Sequence, residues 1–248
     1  MAKVRIDQLL VARGLAPTRA RAQAILLTGN VSVDGARIDK AGALVADDVH
    51  VSLRAAAHPF VSRGGVKLAG ALDAFHLDVR ERRCLDLGAS TGGFTDCLLQ
   101  RGASHVVAVD VGYGQLAQKL RNDARVHAME RTNARTLTAE AIGGPVDLTV
   151  VDASFIGIGK LTTAIARCTR IGGELVALVK PQFEVGREAA SRGKGVVRDE
   201  RLRAAAVAAA IEAICSARFD VIGRHESVLS GPRGNREVFV LGRHRASP

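Results

Sequence analysis

From about residue 60 onward the chain alternates short apolar runs with stretches of helical spacing. Runs at 84–87, 106–109, 126–129, 146–151 and 175–179 are rich in Val, Leu and Ala. Each is too short to make a helix of its own and is mainly apolar. Such runs read as strands covered on both faces. Strands that alternate with helices predict an α/β fold, here a Rossmann-like doubly wound sheet. A long helix is expected over 200–217, and runs at 221–222 and 238–241 suggest a closing pair of strands. Trp is absent and Tyr occurs once among 248 residues, so the core must be built mainly from Val, Leu, Ile and Ala, as this architecture allows.

In such a sheet, ligand-binding groups gather at the carboxyl ends of the strands. The first run leads directly into a glycine-rich turn, Leu85-Asp86-Leu87-Gly88-Ala89-Ser90-Thr91-Gly92-Gly93-Phe94. Glycines there let a ligand approach the backbone, and the following helix points its N-terminus at the site. The spacing is not the GxGxxG of dinucleotide-binding proteins, and the Lys-Ser/Thr ending of a phosphate-binding loop is missing. Asp86 places a carboxylate near the turn, which suits a cationic sulfonium better than a pyrophosphate. Asp110 ends the second strand, where an acidic residue can accept hydrogen bonds from both hydroxyls of an adenosine ribose. Residues 130–133, with Asn133 foremost, follow the third strand within reach of an adenine. Gly88, Ala89, Ser90, Thr91, Gly92, Gly93, Phe94, Asp86, Asp110 and Asn133 are therefore the expected cofactor contacts.

Residues 1–54 read as a separate small α+β unit of helix, helix and a small antiparallel sheet. Ile6, Leu9, Leu10 and Ala12 share a helical face that Gly14 stops, and Thr18 caps a second helix. Val31-Ser32-Val33 alternates, and Asp34-Gly35 marks a tight turn. Arg5, Arg13, Arg19 and Arg21 lie on or beside the helices, where guanidinium forks can grip phosphate oxygens. The line Arg5-Ile6-Asp7-Gln8-Leu9-Leu10, then Thr18-Arg19-Ala20-Arg21-Ala22 through Gly29, Val31, Val33 and Gly35, resembles the S4-type RNA-binding domain. That resemblance implies RNA contacts for Arg5, Arg19 and Arg21, with Arg63 added from the segment beyond the linker. Residues 55–61 read as that linker, because Pro59 biases His58 away from helix. The remaining residues, 62–248, form the α/β domain.

Four further segments resemble the FtsJ-like 2'-O-methyltransferases, which use a Lys-Asp-Lys-Glu tetrad. Ser62-Arg63-Gly64-Gly65-Val66-Lys67-Leu68 supplies Lys67. Val151-Asp152-Ala153-Ser154-Phe155 supplies Asp152, which also faces the cofactor. Leu178-Val179-Lys180-Pro181-Gln182-Phe183-Glu184 supplies Lys180, and Gly234-Asn235-Arg236-Glu237-Val238-Phe239 supplies Glu237. Together with the N-terminal unit, the chain resembles the TlyA family, historically called haemolysins. The resemblance covers essentially all 248 residues. It implies S-adenosylmethionine as cofactor and transfer of its methyl group to a ribose 2'-hydroxyl, at a cytidine of small- or large-subunit ribosomal RNA. One departure lies at His58-Pro59-Phe60-Val61, which stands where relatives carry a segment with Trp.

The chemistry accounts for the residue types. A 2'-hydroxyl is a poor nucleophile until its proton is lost or strongly shared, while the methyl donor is already activated, so alignment and oxygen activation remain. Lys180 is the candidate to receive or share that proton, or else to stabilise the developing alkoxide as a cation. Asp152 would orient Lys180, and Glu237 would pair with Lys67. The loop 186–198, rich in glycine and charge, reads either as an RNA contact through Lys194 and Arg198 or as a solvated loop.

Composition narrows the alternatives. Lys and Arg number 35 against 25 Asp and Glu, a net charge of +10 that favours a polyanionic partner, and the resemblance implies that this partner is ribosomal RNA or a ribosomal subunit. Cys84, Cys97, Cys168 and Cys215 form no CxxC pair, so neither a zinc site nor a disulfide framework is expected. No metal and no membrane are expected, and the protein reads as cytoplasmic. A non-catalytic assembly factor, a membrane-active haemolysin and a nicotinamide dehydrogenase are opposed by the complete tetrad, the lack of a membrane-seeking segment and the missing GxGxxG respectively. Deletion of residues 1–54 is expected to lower affinity for ribosomal RNA and to flatten its salt dependence, measured by titration at several salt concentrations.

Overall fold

The computed structural model describes residues 3–27, 29–53, 58–185, 195–231 and 234–246. Lys194 and linker residues 54–57 lie outside these.

The N-terminal unit holds β1 (Lys3–Arg5), α1 (Ile6–Ala12), α2 (Arg19–Leu27), β2 (Val31–Val33), β3 (Ala36–Ile38), β4 (Leu44–Ala46) and β5 (Val51–Leu53). Ile6, Leu9, Leu10, Ala22, Leu26, Val31 and Val33 close its core. Thr18 accepts a hydrogen bond from the Arg21 amide and so caps α2. Strands β3, β2 and β5 form one antiparallel sheet, with β2 in the middle. The reading of two helices followed by a single sheet is incomplete here. β1 precedes the first helix and pairs with β4 in a second, two-stranded sheet. Three-residue strands carry too few positions to show a period of two, so only long-range pairing reveals them.

Asp7 anchors this unit. Its side chain is fully buried and accepts hydrogen bonds from Arg5 Nε and Nη2, Arg19 Nε and Gln23 Nε2 at 2.9–3.0 Å. These donors satisfy a carboxylate that would otherwise be costly to desolvate.

The larger domain is built on a seven-stranded sheet. It comprises α3 (Arg63–Ala74), β6 (Arg83–Leu87), α4 (Gly93–Gln100), β7 (His105–Val109), α5 (Gln118–Arg121), β8 (Val126–Met129), β9 (Val146–Val151), α6 (Thr162–Cys168), β10 (Thr169–Val179), α7 (Pro181–Glu184), α8 (Glu200–Ser216), β11 (Phe219–Glu226) and β12 (Val238–His244). The strand order is β11-β12-β10-β9-β6-β7-β8. β12 runs antiparallel to both neighbours, and the pairings from β10 through β8 are parallel.

Each inner strand divides its side chains between two cores, as the pleat requires. Leu85, Leu87, Val107, Val109, Val151, Ala177 and Val179 pack on one face with α6 and α8. Cys84, Val106, Leu148, Val150, Val176 and Leu178 pack on the other with α3 and α4. Both faces are covered, which is why these strands read as mainly apolar runs. The order reverses between β6 and β9, so the chain leaves these two strands in opposite directions and opens a crevice at their carboxyl ends.

Hydrogen bonds from Arg5, opposed by burial and reinforced by Gln23 and Arg19, hold the Asp7 carboxyl well below the usual carboxylate range. A depressed folded value means that this contribution is present above the ordinary carboxylate pKa and is lost as pH falls through the folded one. Asp7→Ala is expected to cost the N-terminal unit about 1–3 kcal/mol, read as faster amide exchange in residues 3–53 of the full-length chain at neutral pH.

Candidate active site

The crevice holds a cavity of about 880 Å³, lined by the glycine turn after β6, the ends of β7 and β9, the N-terminus of α3 and Lys180 after β10. Gly88 adopts φ +87, and a Cβ there would come within 3.0–3.1 Å of the backbone of Asp152 and Ala153. The turn after β6 therefore passes against the turn after β9 with no room for a side chain. Asp110 braces this region. Its Oδ2 accepts from the Ser90 amide at 2.8 Å and its Oδ1 from the Gly112 amide at 2.7 Å, which ties the β6 turn to the β7 turn. Each carboxylate oxygen retains a further lone pair for a ligand. Gly88, Ala89, Ser90, Thr91, Gly93, Phe94, Asp110, Asn133 and Asp152 all line the cavity.

Two expected cofactor contacts stand elsewhere. Gly92 is the N-cap of α4 and does not face the cavity. Asp86 is fully buried beneath the turn, where its Oδ2 accepts from the Thr95 amide at 2.9 Å and the Thr95 hydroxyl at 2.7 Å. Side chains alternate along β6, and this one points toward α4 instead of the crevice. Burial pushes its carboxyl up to about 7 against the Thr95 donors, with Asp152 and Asp110 adding to the rise. Asp86 thus supports the turn from below.

The structure brings the four tetrad residues together as two ion pairs. Lys67 on α3 meets Glu237, just before β12, at 2.5 Å. Both side chains are almost wholly buried, at 8% and 0% exposure. Gln182 on α7 donates to the second oxygen of Glu237 at 3.2 Å. Lys67 reaches the cavity and Glu237 stands behind it. Lys180 meets Asp152 at 2.6 Å. The approach leaves Asp152 Oδ1 without a well-aligned hydrogen bond, so charge joins this pair more than direction does. Lys180 also donates to Ser154 Oγ at 3.0 Å. Both lysines face the same cavity. A surface network of Arg236 with Glu200 and Glu226, joined by Arg203, holds the chain beside Glu237.

Several residues at the site carried no sequence signal of their own. Gln182 is one, visible only as part of the segment that contains Lys180. Phe155 is another. It is 90% exposed at the cavity rim and adopts φ +66, a conformation costly for a bulky side chain. Its ring lies 5.2 Å from that of Phe183. Arg131, which also lines the cavity, stacks 4.0 Å over Tyr113. Among the proposed RNA contacts, Arg63 is half-buried at the cavity wall and donates to the Ser230 carbonyl. Arg5 and Arg19 remain partly exposed while paired with Asp7. Arg21 is half-buried. Among the described residues no group of three or more His, Cys, Asp or Glu could hold a metal ion, and no helix is long and apolar enough to cross a membrane.

A sheet of this order, with a glycine turn after β6 and paired lysines at its rim, defines a methyltransferase of the FtsJ-like class. Residues 60–244 match the model of the FtsJ-like methyltransferases, and residues 4–50 match that of the S4 domain. The chain is 49% identical over 239 residues to the 16S/23S rRNA (cytidine-2'-O)-methyltransferase TlyA of Mycobacterium tuberculosis, covering 96% of this chain and 89% of that protein. It is 38% identical over 238 residues to Hemolysin A of Brachyspira hyodysenteriae, covering 96% and 98% respectively. A solved structure of a hemolysin-named protein from Streptococcus thermophilus superposes with a TM-score of 0.76 at 39% identity, covering 100% of this chain and 90% of that one. The chain belongs to the TlyA family.

Removing one partner of a buried ion pair strands the other charge, at a cost of about 3–5 kcal/mol. Glu237→Ala is expected to lower the denaturation midpoint accordingly. The double variant Lys67→Met/Glu237→Leu should recover most of that loss while remaining inactive, measured by denaturant titration beside a methyl-transfer assay.

Proposed function

We propose that this protein transfers a methyl group from S-adenosylmethionine to a ribose 2'-hydroxyl of ribosomal RNA, with cytidine as the target nucleotide. The observation that carries this reading is the convergence of two lysine–carboxylate pairs on one cavity beside the glycine turn. The relatives named for cytidine 2'-O-methylation supply the target class.

The cavity fits the cofactor. Its volume lies toward the upper end of the range for small-molecule sites, which leaves space for a nucleoside beside the donor. Asp110 is placed to accept from the ribose hydroxyls of the adenosine, and Asn133 and its neighbours to meet the adenine. When bound, S-adenosylmethionine supplies an activated methyl group on a sulfonium. The chain's own residues then orient and activate the acceptor. Lys180, held by Asp152 and Ser154, would offer its remaining N–H to the 2'-oxygen. As the cation of its pair with Asp152 it stabilises the negative charge that develops on that oxygen, and as a free amine it would take the proton itself. Lys67, steadied by Glu237 and Gln182, presents a second donor to the same sugar.

The target must leave its stack for its 2'-oxygen to reach this depth. Phe155 offers an exposed aromatic face at the rim for the displaced base. The N-terminal unit and Arg63 supply phosphate contacts. Asp7 leaves Arg5 and Arg19 partly exposed, so they remain available to RNA.

Three variants separate these roles. Lys180→Ala is expected to lower kcat by at least ~10²-fold with cofactor affinity retained, and normal turnover would remove Lys180 from the mechanism. Asp110→Ala is expected to raise the cofactor Kd by about ten-fold or more, the worth of a hydrogen bond to a charged group. An unchanged Kd by calorimetry would reject the ribose assignment. Phe155→Ala is expected to raise KM for RNA by about ten-fold, as loss of one base-stacking surface does. The direct test of the reading itself is mass mapping of ribose methylation on ribosomal RNA from cells with and without the protein.

A further inference from the structure

Glu184 is a half-buried carboxylate that the proposed chemistry does not use. It ends α7, four residues after Lys180. Its Oε1 accepts a hydrogen bond from the Ile158 amide at 2.8 Å. That amide belongs to the single helical turn Ile158–Lys160, and Ile158 closes the loop that begins at Asp152 and carries Phe155. The other oxygen faces Gly157, where a Cβ would come within 2.8 Å of it. Burial pushes the Glu184 carboxyl up, opposed by the Ile158 hydrogen bond. The neighbouring Phe183 ring lies against Phe155. One short turn therefore touches the loop twice, through a carboxylate on its far end and through an aromatic ring near its tip.

Phe155 needs such support. A bulky side chain at positive φ persists only where surrounding contacts over-determine it. Phe155 is also almost fully exposed, so burial of its own ring cannot hold it.

We infer that Glu184 is a positioning residue, whose carboxylate clamps the Gly157–Ile158 backbone and thereby holds Phe155 at the rim in the pose that receives the target base. This rests on the reading of Phe155 as the stacking surface. The ionised side chain suits the role because a carboxylate accepts more strongly from a backbone amide than a neutral group does. Gly157 belongs to the same device. A methyl group there would meet the end of a flexible side chain, so it would push the Glu184 carboxylate away from the Ile158 amide.

The chain contains no Trp, so Phe155→Trp introduces a lone indole fluorophore on the loop. In that background Glu184→Ala is expected to lower the steady-state anisotropy of the indole, and Glu184→Gln, which keeps an acceptor for the Ile158 amide, to leave it near the parent value. In methyl transfer with Phe155 intact, Glu184→Ala and Gly157→Ala should each raise KM for ribosomal RNA by about five- to ten-fold, the net worth of one ordinary intramolecular hydrogen bond. Glu184→Gln should stay within about two-fold on the same scale, and cofactor affinity by calorimetry should hold for all three, which also shows that they fold. Glu184→Ala should add nothing further in a Phe155→Ala background, as coupled residues behave in a double-mutant cycle. Unchanged anisotropy, or a Glu184→Ala effect that adds fully to that of Phe155→Ala, overturns the inference. If Phe155→Ala leaves KM unmoved, the stacking role falls, and the indole still reports whether Glu184 holds the loop.

Discussion

The buried pair of Lys67 and Glu237 is the constraint on which the site depends. The two residues stand 170 positions apart, one at the start of the α/β domain and the other at the edge of its last strand. A charge taken from water at either place is stable only when the other is present. The pair therefore ties α3 to β12 and lets an ammonium face the cavity while almost wholly buried. Gln182 extends that tie to the strand that delivers Lys180. Antiparallel β12 serves the same end. Because it runs against its neighbours, its beginning, and not its end, lies beside the carboxyl ends of β9 and β10.

The turn from Lys180 to Glu184 links the separate parts of this arrangement. Lys180 pairs with the residue after β9, Pro181 opens α7 where its missing N–H costs nothing, Gln182 holds Glu237, and Phe183 meets Phe155. Four of these five consecutive side chains thus reach two loops that belong to distant stretches of the chain. A turn of this kind converts the rigidity of β10, buried on both faces, into fixed positions for groups that would otherwise sit on independent loops.

Much of this was legible in the sequence, for a physical reason. Strands covered on both faces are mostly apolar, so a polar residue directly after such a run stands out, and Asp110, Asp152 and Lys180 are marked by position. The glycine turn is legible because the close passage of Gly88 against Asp152 admits no side chain. The tetrad became visible through resemblance, since periodicity says nothing about which lysine meets which acid. Side-chain direction at a strand end was not legible either, and Asp86 shows the consequence: one residue from the turn, it faces α4. Strands β1 and β4 escaped because three residues cannot establish a pattern. Phe155 and Glu184 escaped because their roles come from a left-handed backbone and a contact 26 positions away, neither of which local composition encodes.

The Asp7 hub changes how the basic surface of the N-terminal unit should be counted. Arg5 and Arg19 share one anion, so the three groups together present a single net positive charge to an approaching backbone. A tally of arginines therefore overstates the number of counterions that this patch would displace from RNA. What the shared carboxylate supplies instead is order: both guanidinium groups are already fixed in orientation before any phosphate arrives, and less side-chain freedom remains to be surrendered on contact.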